Sequence, residues 1–268
     1  MLFPEEPNMA ESVETFYDDL AESYHLVFEN WSRTVATQAA IIGPLLEQYT
    51  GKTSAYVLDC ACGIGTQTIG LAQRGHILVG SDLSRSAIAR ASGEARKRDL
   101  DIRFHVADMR DLSNIPESGF DAVVVADNAL PHLLSQPDLE RATVEIAAKL
   151  KDSGILLTTL RDYDQLLSTR PTMQPPAFYE QDGKSRFVHQ VWQWNGEQYA
   201  LHLYITMETE SGWKVKHFDS RYRALRRSDL NQALHAAGFR DILWLEPGTT
   251  SFYQPIVIAT KTDFTALR

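Results

Sequence analysis

Apolar residues recur at three- and four-residue steps from Ala10 to about Asn30 (Val13, Phe16, Tyr17, Leu20, Tyr24, Val27, Phe28), which predicts an amphipathic helix. Residues 1–9 read as a loose tail. A second helix is expected over Trp31–Tyr49, with a kink or break at Gly43-Pro44. Short apolar runs then alternate with helical stretches. Strands are predicted at Ala55–Asp59, His76–Ser81, Ile102–Val106, Phe120–Ala126 and Gly154–Leu160. Helices are predicted at Thr66–Arg74, ending at Gly75, at Arg85–Arg98, capped by Ser84, and from Pro137-Asp138 to Leu150. FDAVVVA (120–126) is apolar throughout, as a strand covered on both faces must be.

This rhythm predicts a doubly wound, mostly parallel α/β sheet. It breaks after Leu160. Residues 161–186 carry Pro171, Pro175 and Pro176 and read as loop-rich. Residues 187–224 read as an antiparallel meander with turns near Asn195-Gly196 and Ser211-Gly212. A helix capped by Ser228 and two closing strands, in DILWLEP and PIVIATK, return to the core. The expected organisation is a helical cap over 1–50, a core formed by 51–160 and 225–268, and an acceptor-side insertion, or lid, over 161–224.

Composition narrows the function classes. The chain has 268 residues, 44% of them hydrophobic, enough for one large domain with an insertion. A formal charge of −9 argues against nucleic acid as a partner, and residues 1–20 hold six acids and no base. The basic run RYRALRR (221–227) alternates in strand register and reads first as a solvated face. No apolar run approaches the ~18–20 residues that span a bilayer, so no membrane association is expected. The N-terminus lacks the pattern of a signal peptide. The two cysteines, Cys60 and Cys62, make neither a useful staple nor a zinc set, which places the protein in a reducing, cytoplasmic setting. No cluster of metal ligands stands out.

VLDCACGIGTQ (57–67) is the first strand-to-helix turn, where open α/β sheets bind ligands. Gly63 and Gly65 let backbone approach a ligand, and the following helix offers free N–H groups. Asp59 ahead of the turn disfavours a pyrophosphate and suits a cation. Ala61 stands where a dinucleotide turn has its first glycine. Asp82 ends the second strand and Asp108 the third. A nicotinamide oxidoreductase is disfavoured by Ala61 and Asp108.

DCACGIG, GSDLS, VADM and FDAVVVADNALPH, in that order and spacing, resemble a class I S-adenosylmethionine-dependent methyltransferase. The resemblance implies a Rossmann-like, seven-stranded sheet with an antiparallel last strand, and S-adenosyl-L-methionine as methyl donor, leaving as S-adenosyl-L-homocysteine. It implies that Gly63 and Gly65 line the methionine end and ribose, that Asp82 accepts from the ribose hydroxyls, and that Asp108 binds the adenine amino group between Met109 and Leu83. Asp59, Ala61, Asp127 and Tyr24 join the cofactor set. Tyr17 and Tyr24 lie on one face of the first helix, where either covers the cofactor or simply packs.

A narrower resemblance is to glycine N-methyltransferase and its bacterial relatives, through YDDLAESYHLVFENWSRT, ACGIG, DNALPHL and RDYDQLLST. It implies that Arg33 holds the carboxylate of the cofactor's methionine moiety, that Asn128 meets the acceptor amine, and that Arg161 clamps the acceptor carboxylate. Tyr179 and Tyr204 match acceptor-pocket tyrosines. Arg161 also stands out directly, because it follows GILLTTL at the carboxyl edge; the alternative is an ion pair with Asp162, Asp164 or another acid. His132 is a candidate general base or a structural histidine. The expected function is N-methylation of glycine or a related carboxylate-bearing amine. Two alternatives remain. One is a natural-product O-, N- or C-methyltransferase, for which Trp192, Trp194 and Trp213 would line an aromatic pocket. The other is a non-catalytic S-adenosylmethionine-binding protein. The expected partner is a small-molecule acceptor; homo-oligomerisation is left open.

Overall fold

The computed structural model describes residues 9–181 and 183–262. The expected tail, apart from Met9, lies outside the described residues. Helix α1 (Met9–Leu20) is followed by a 3₁₀ turn (Tyr24–Val27) and α2 (Trp31–Thr50). The expected single helix from Ala10 to Asn30 is therefore two pieces. The break is satisfied by Arg90, which donates to the carbonyls of Ala21 and Glu22 at 2.5 and 2.6 Å, so those groups need no further helical turn. Pro44, expected to kink or break α2, does not end it and sits inside it. Ile42 and Leu46, on either side, are both fully buried and hold the two halves against the sheet.

Next come β1 (Tyr56–Cys60), α3 (Thr66–Gln73), β2 (Ile77–Asp82), α4 (Arg85–Arg96), β3 (Arg103–Val106) and β4 (Phe120–Val125). A second 3₁₀ turn (Leu130–His132) leads to α5 (Gln136–Lys149) and β5 (Leu150–Thr159). Ser84 caps α4 by accepting from the Ala87 amide at 3.0 Å. Gly75, just past α3, has φ +94°. The stretch read as loop-rich holds two elements, α6 (Tyr163–Thr169) and β6 (Ala177–Gln181). Asp162 caps α6 by accepting from the Gln165 amide. Strands β7 (Lys184–Asn195), β8 (Gln198–Thr209) and β9 (Gly212–Arg223) follow, then α7 (Arg227–Ala236), β10 (Phe239–Leu245) and β11 (Ile256–Lys261). Helix α7 starts one residue before its expected cap. Arg226 holds the cap position, and the Ser228 hydroxyl turns to Asp229 instead.

The main sheet runs β10-β11-β5-β4-β1-β2-β3, all parallel except β11, which is antiparallel to both neighbours. A second, antiparallel sheet runs β6-β7-β8-β9. Alternate residues of the core strands feed two apolar layers. Val57, Leu78, Val124 and Leu157 pack with Ile42 and Leu46 of α2 and Leu71 of α3. Leu58, Val79, Val125 and Leu156 pack with Leu20, Leu139, Ile146 and Leu230, and with Trp192, Tyr199 and Leu201 of the second sheet. The second sheet is thus continuous with the core at the carboxyl ends of β4 and β5.

Gly70 sets the distance between α2 and α3. A Cβ there would lie 2.6 Å from the Val35 carbonyl oxygen and 2.7 Å from the Ala39 Cβ. Alanine gains about 1 kcal/mol of helix propensity. The clash is with backbone, which cannot rotate away, and overpacking of this kind costs about 1–3 kcal/mol. Gly70→Ala should therefore lower the urea midpoint; an unchanged or higher midpoint would show that the two helices can separate freely.

Candidate active site

β1 delivers the chain into the turn 61–65, and the turn's shape comes from its neighbours. The Cys62 amide donates to the Ser81 carbonyl at 2.9 Å, and the Gly63 amide donates to Asp82 Oδ2 at 2.8 Å. Asp82 Oδ1 accepts from the Ser84 amide at 2.9 Å. Gly63 has φ +53° and Gly65 φ +91°, left-handed conformations that glycine adopts without strain. The result is a cleft of about 930 Å³, mouth included, at the carboxyl ends of β1, β2 and β4.

The structure brings Ala61, Gly63, Asp82, Leu83, Asp108, Met109, Asp127 and Tyr24 together in the lining of this cleft, and His132 joins them. Tyr17 and Gln67 complete the rim; the helical spacing pointed to Tyr17, whereas nothing local singled out Gln67. The walls carry four carboxylates (Asp82, Asp108, Asp127, Asp138) against one guanidinium, that of Arg110. Burial pushes the Asp82 carboxyl up, although the Ser84 and Gly63 amides pull it back. Burial also pushes Asp108 up, but hydrogen bonds from Arg110, the shortest 2.6 Å, outweigh it and hold the carboxyl below the usual range. An acid-lined wall with apolar Leu83 and Met109 suits a ligand that is cationic and carries a flat apolar group. Each oxygen of Asp82 keeps a second lone pair for hydroxyls. The residues present therefore fit S-adenosylmethionine.

A second, larger cavity of about 2000 Å³, mouth included, adjoins the first. Phe16, Leu20, Val27, Leu166, Leu201 and Leu203 give it apolar walls, and Asn128, Arg161, Gln190, Trp192 and Tyr222 give it a polar, aromatic end. Arg161 donates to the Tyr199 hydroxyl at 2.8 Å and to Gln190 Oε1 at 3.2 Å, with its guanidinium 4.7 Å from the Trp192 ring centre. It forms no ion pair among the described residues. The expected alternative, pairing with Asp162 or Asp164, is not formed: Arg227 takes Asp162 at 3.1 Å, and Asp164 lies 4.0 Å from both Arg226 and Arg227. Asn128 is 4% exposed and committed inward, exchanging hydrogen bonds with the Tyr163 hydroxyl and accepting from the Arg161 amide at 3.1 Å.

Five expected site residues lie elsewhere. Arg33 is on the outer side of α2, its side chain 70% exposed and paired with Glu29 at 3.6 Å; it borders the second cavity and not the first. Asp59 is fully buried beneath the turn, accepting from Thr68 Oγ1 at 2.5 Å, and burial pushes its carboxyl up to about 7. Gly65 caps α3, where a Cβ would meet Ile69 at 3.0 Å, so its role is conformational. Tyr179 donates to the Val27 carbonyl at 3.4 Å under Arg186, and Tyr204 stacks between His189 and His217 on the outer face of the second sheet. The three tryptophans are not one group. Trp192 lines the second cavity, Trp194 donates to the Pro171 carbonyl, and Trp213 is 52% exposed on the outer face.

His132 shares a hydrogen bond with the Tyr17 hydroxyl through Nε2 at 2.9 Å and rests on the Tyr222 ring at 4.0 Å. Burial pushes its imidazole down to about 3, so it is neutral and a poor base near neutrality. The unfolded chain binds a proton below about 6.5 and the folded chain does not, so stability falls as pH drops from about 6.5 towards 3, by at most about 1.4 kcal/mol per unit from this group. Urea titrations of wild type and His132→Gln at pH 5 and 7 should show the variant losing less stability on acidification. Equal losses would mean that His132 charges in the folded state.

The fold is that of solved S-adenosylmethionine-dependent methyltransferases, and the acid-lined cleft suits that donor. Residues 57–154 match the methyltransferase domain family. The glycine/sarcosine N-methyltransferase of Parasynechococcus marenigrum is 32% identical over 152 residues, 57% of this chain and 52% of that enzyme. The dTDP-3-amino-3,6-dideoxy-alpha-D-glucopyranose N,N-dimethyltransferase of Streptomyces fradiae is 31% identical over 139 residues, 52% of each. The chain thus spans about half the length of these curated relatives. A solved sugar N-methyltransferase from Streptoalloteichus shares the fold with a TM-score of 0.74 at 20% identity, covering 91% of this chain and 94% of that one. Among the described residues, no helix is long and apolar enough to cross a membrane, and no group of three or more His, Cys, Asp or Glu could hold a metal ion.

Proposed function

We propose that the protein transfers a methyl group from S-adenosylmethionine to the nitrogen of a small carboxylate-bearing amine, glycine or a related amino acid. The observation that carries this reading is Arg161, a cation facing the second cavity without an anionic partner among the described residues. A buried charge is costly unless paired, so the cavity favours a ligand that brings a carboxylate. The glycine/sarcosine N-methyltransferase relative agrees with an amino-acid acceptor. The breadth and apolar walls of the cavity favour a second reading, an aromatic or sugar-like amine.

The donor supplies an electrophilic methyl on a sulfonium. The chain's own residues do the rest by positioning, which alone can contribute ~7–11 kcal/mol. Asp82 and the Gly63 turn hold the donor end, Arg161 fixes the acceptor carboxylate, and Asn128 orients Arg161 through its backbone amide. Tyr17, Tyr24 and the second sheet cover the junction and limit water. Radiolabelled methyl transfer to a panel of amino acids and of carboxylate-free amines tests the reading. Transfer to amino acids supports it; transfer only to carboxylate-free amines sinks it.

A further inference from the structure

Among the described residues, only three line both cavities: Tyr17, Tyr24 and Asp127. The methyl group must cross from one cavity to the other, so the reacting nitrogen has to sit beside these three. Asp127 is the only charged one. Its placement is enforced. Asp127 and Asn128 are consecutive non-glycine residues with left-handed backbones, φ 55° and 67°. Such conformations cost of order 1–3 kcal/mol each and persist only where surroundings fix them. Here β5 fixes them, through Thr159: its hydroxyl accepts from the Asp127 amide at 2.8 Å and its carbonyl from the Asn128 amide at 3.0 Å. The carboxylate is then aimed by the Tyr253 hydroxyl, donating to Oδ1 at 2.5 Å, and by Gln67 Nε2, donating to Oδ2 at 2.8 Å. Each oxygen keeps a lone pair for one more donor.

The acceptor side points the same way. The other acid on its wall, Asp162, is tied to Arg227 and to the cap of α6. That leaves one open carboxylate, Asp127, and one unpaired guanidinium, Arg161, in one cavity: a seat for a zwitterion.

We infer that Asp127 seats the acceptor's ammonium and takes its proton before methyl transfer, in place of a histidine. This rests on the N-methylation reading. In the step, one N–H bond of the ammonium breaks, its electron pair stays on nitrogen, and the proton goes to the Asp127 carboxylate. The pair then forms the N–CH₃ bond as the C–S bond breaks, with that pair going to sulfur. Asp127 returns its proton to solvent after product leaves. Burial holds the Asp127 carboxyl above its usual range, against hydrogen bonds from Tyr253, Gln67 and Gln38, which narrows the gap to an amine desolvated in the same cavity. The ionisable groups around it are Tyr17 on α1, Tyr24 on the first 3₁₀ turn, Asp59 on β1, Asp82 on β2, His132, Arg161 and Tyr253. Tyr17 and Tyr24 are pushed up by burial and stay protonated; His132 stays neutral. Asp59, pushed up to about 7, also titrates in the working range, so its contribution has to be separated.

The test compares wild type with Asp127→Asn, using the panel amino acid of known pKa that wild type methylates fastest. Binding of S-adenosylhomocysteine is measured by calorimetry and kcat/KM for the acceptor across pH 5–10. The expected result is binding within about threefold of wild type and a kcat/KM at pH 7 lower by about 100-fold or more. The variant can use only amine that is already neutral, so its kcat/KM should climb tenfold per pH unit up to the amine's own pKa and approach wild type there. Weakening of S-adenosylhomocysteine binding by tenfold or more, with a pH profile of wild-type shape, would make Asp127 a cofactor residue and overturn the inference. Asp59→Asn should leave the acidic edge of the wild-type profile in place; loss of that edge would assign it to Asp59. If Asp127→Asn does not fold, Tyr253→Phe decides. It removes one donor from the carboxylate, so the acidic edge should move to higher pH, and an unmoved edge overturns the proposal. An enzyme that methylates no amine in the panel removes the N-methylation reading and the inference with it, whereas an active enzyme indifferent to Asp127→Asn removes the inference alone.

Discussion

Arg161→Ala should lower kcat/KM for a carboxylate-bearing acceptor by about 100- to 1,000-fold, while S-adenosylhomocysteine binding stays within about threefold. Hydrogen bonds to charged groups contribute about 1.5–3 kcal/mol each, and a guanidinium engages a carboxylate through two of them. The loss should fall on acceptor binding, because Arg161 lies outside the walls of the first cleft. Part of any loss would come from packing, since the guanidinium also rests on Trp192 and holds the Tyr199 hydroxyl and Gln190. Arg161→Met keeps most of the volume without the charge and should lose nearly as much as alanine. Arg161→Lys keeps the charge without the fork and should fall between. Equal losses for amino acids and for carboxylate-free amines would locate the effect in packing and remove Arg161 from acceptor recognition.

Asp82→Ala should produce the opposite split, a loss of about 100-fold in S-adenosylhomocysteine affinity with acceptor KM little changed at saturating donor. Two effects combine. The carboxylate is the acceptor proposed for the ribose hydroxyls, and its two oxygens tie down the amides of Gly63 and Ser84, so its removal also loosens the turn. A charged acceptor of this kind contributes about 1.5–3 kcal/mol. Folding stability should change less than binding. The folded-state carboxyl is raised above its unfolded value, so ionised Asp82 is a cost to the fold at any pH above that value, and alanine relieves the cost while losing the bonds. Calorimetry together with thermal unfolding without ligand separates the two. A variant that binds S-adenosylhomocysteine like wild type would refute the assignment.

Where the strands and helices of the core lie was legible, because a period of two or 3.6 and an apolar run buried on both faces are properties of the local chain. The same holds for the Ser84 cap, for Asp82, which ends β2, and for Asp108, two residues past β3; both carboxylates stand at the carboxyl edge that lines the cleft. The second sheet was harder. Its strand parity was written in QYALHLYITMET, where Tyr199, Leu201, Leu203 and Ile205 are in phase and Tyr204 is not. Tyr204 therefore faces outward, and likeness of residue type alone misplaced it. Arg33 shows a related limit: a motif gives a position along α2, while the direction of the side chain depends on how the helix is rolled against the sheet.

By itself, then, the sequence determined the order of elements, the left-handed glycine turn and the acidic character of the donor site, because these follow from backbone geometry and from which residue types stand at strand ends. Only the tertiary structure decided that Asp59 lies beneath the turn, that Arg161 has no anionic partner among the described residues, and that Asp127 stands between two cavities. The surroundings of Asp127 come from Tyr17, Tyr24, Gln67, Thr159 and Tyr253, spread over most of the chain. No local pattern encodes which of several carboxylates those segments will enclose; that depends on how the helical cap, the core and the second sheet close around one point.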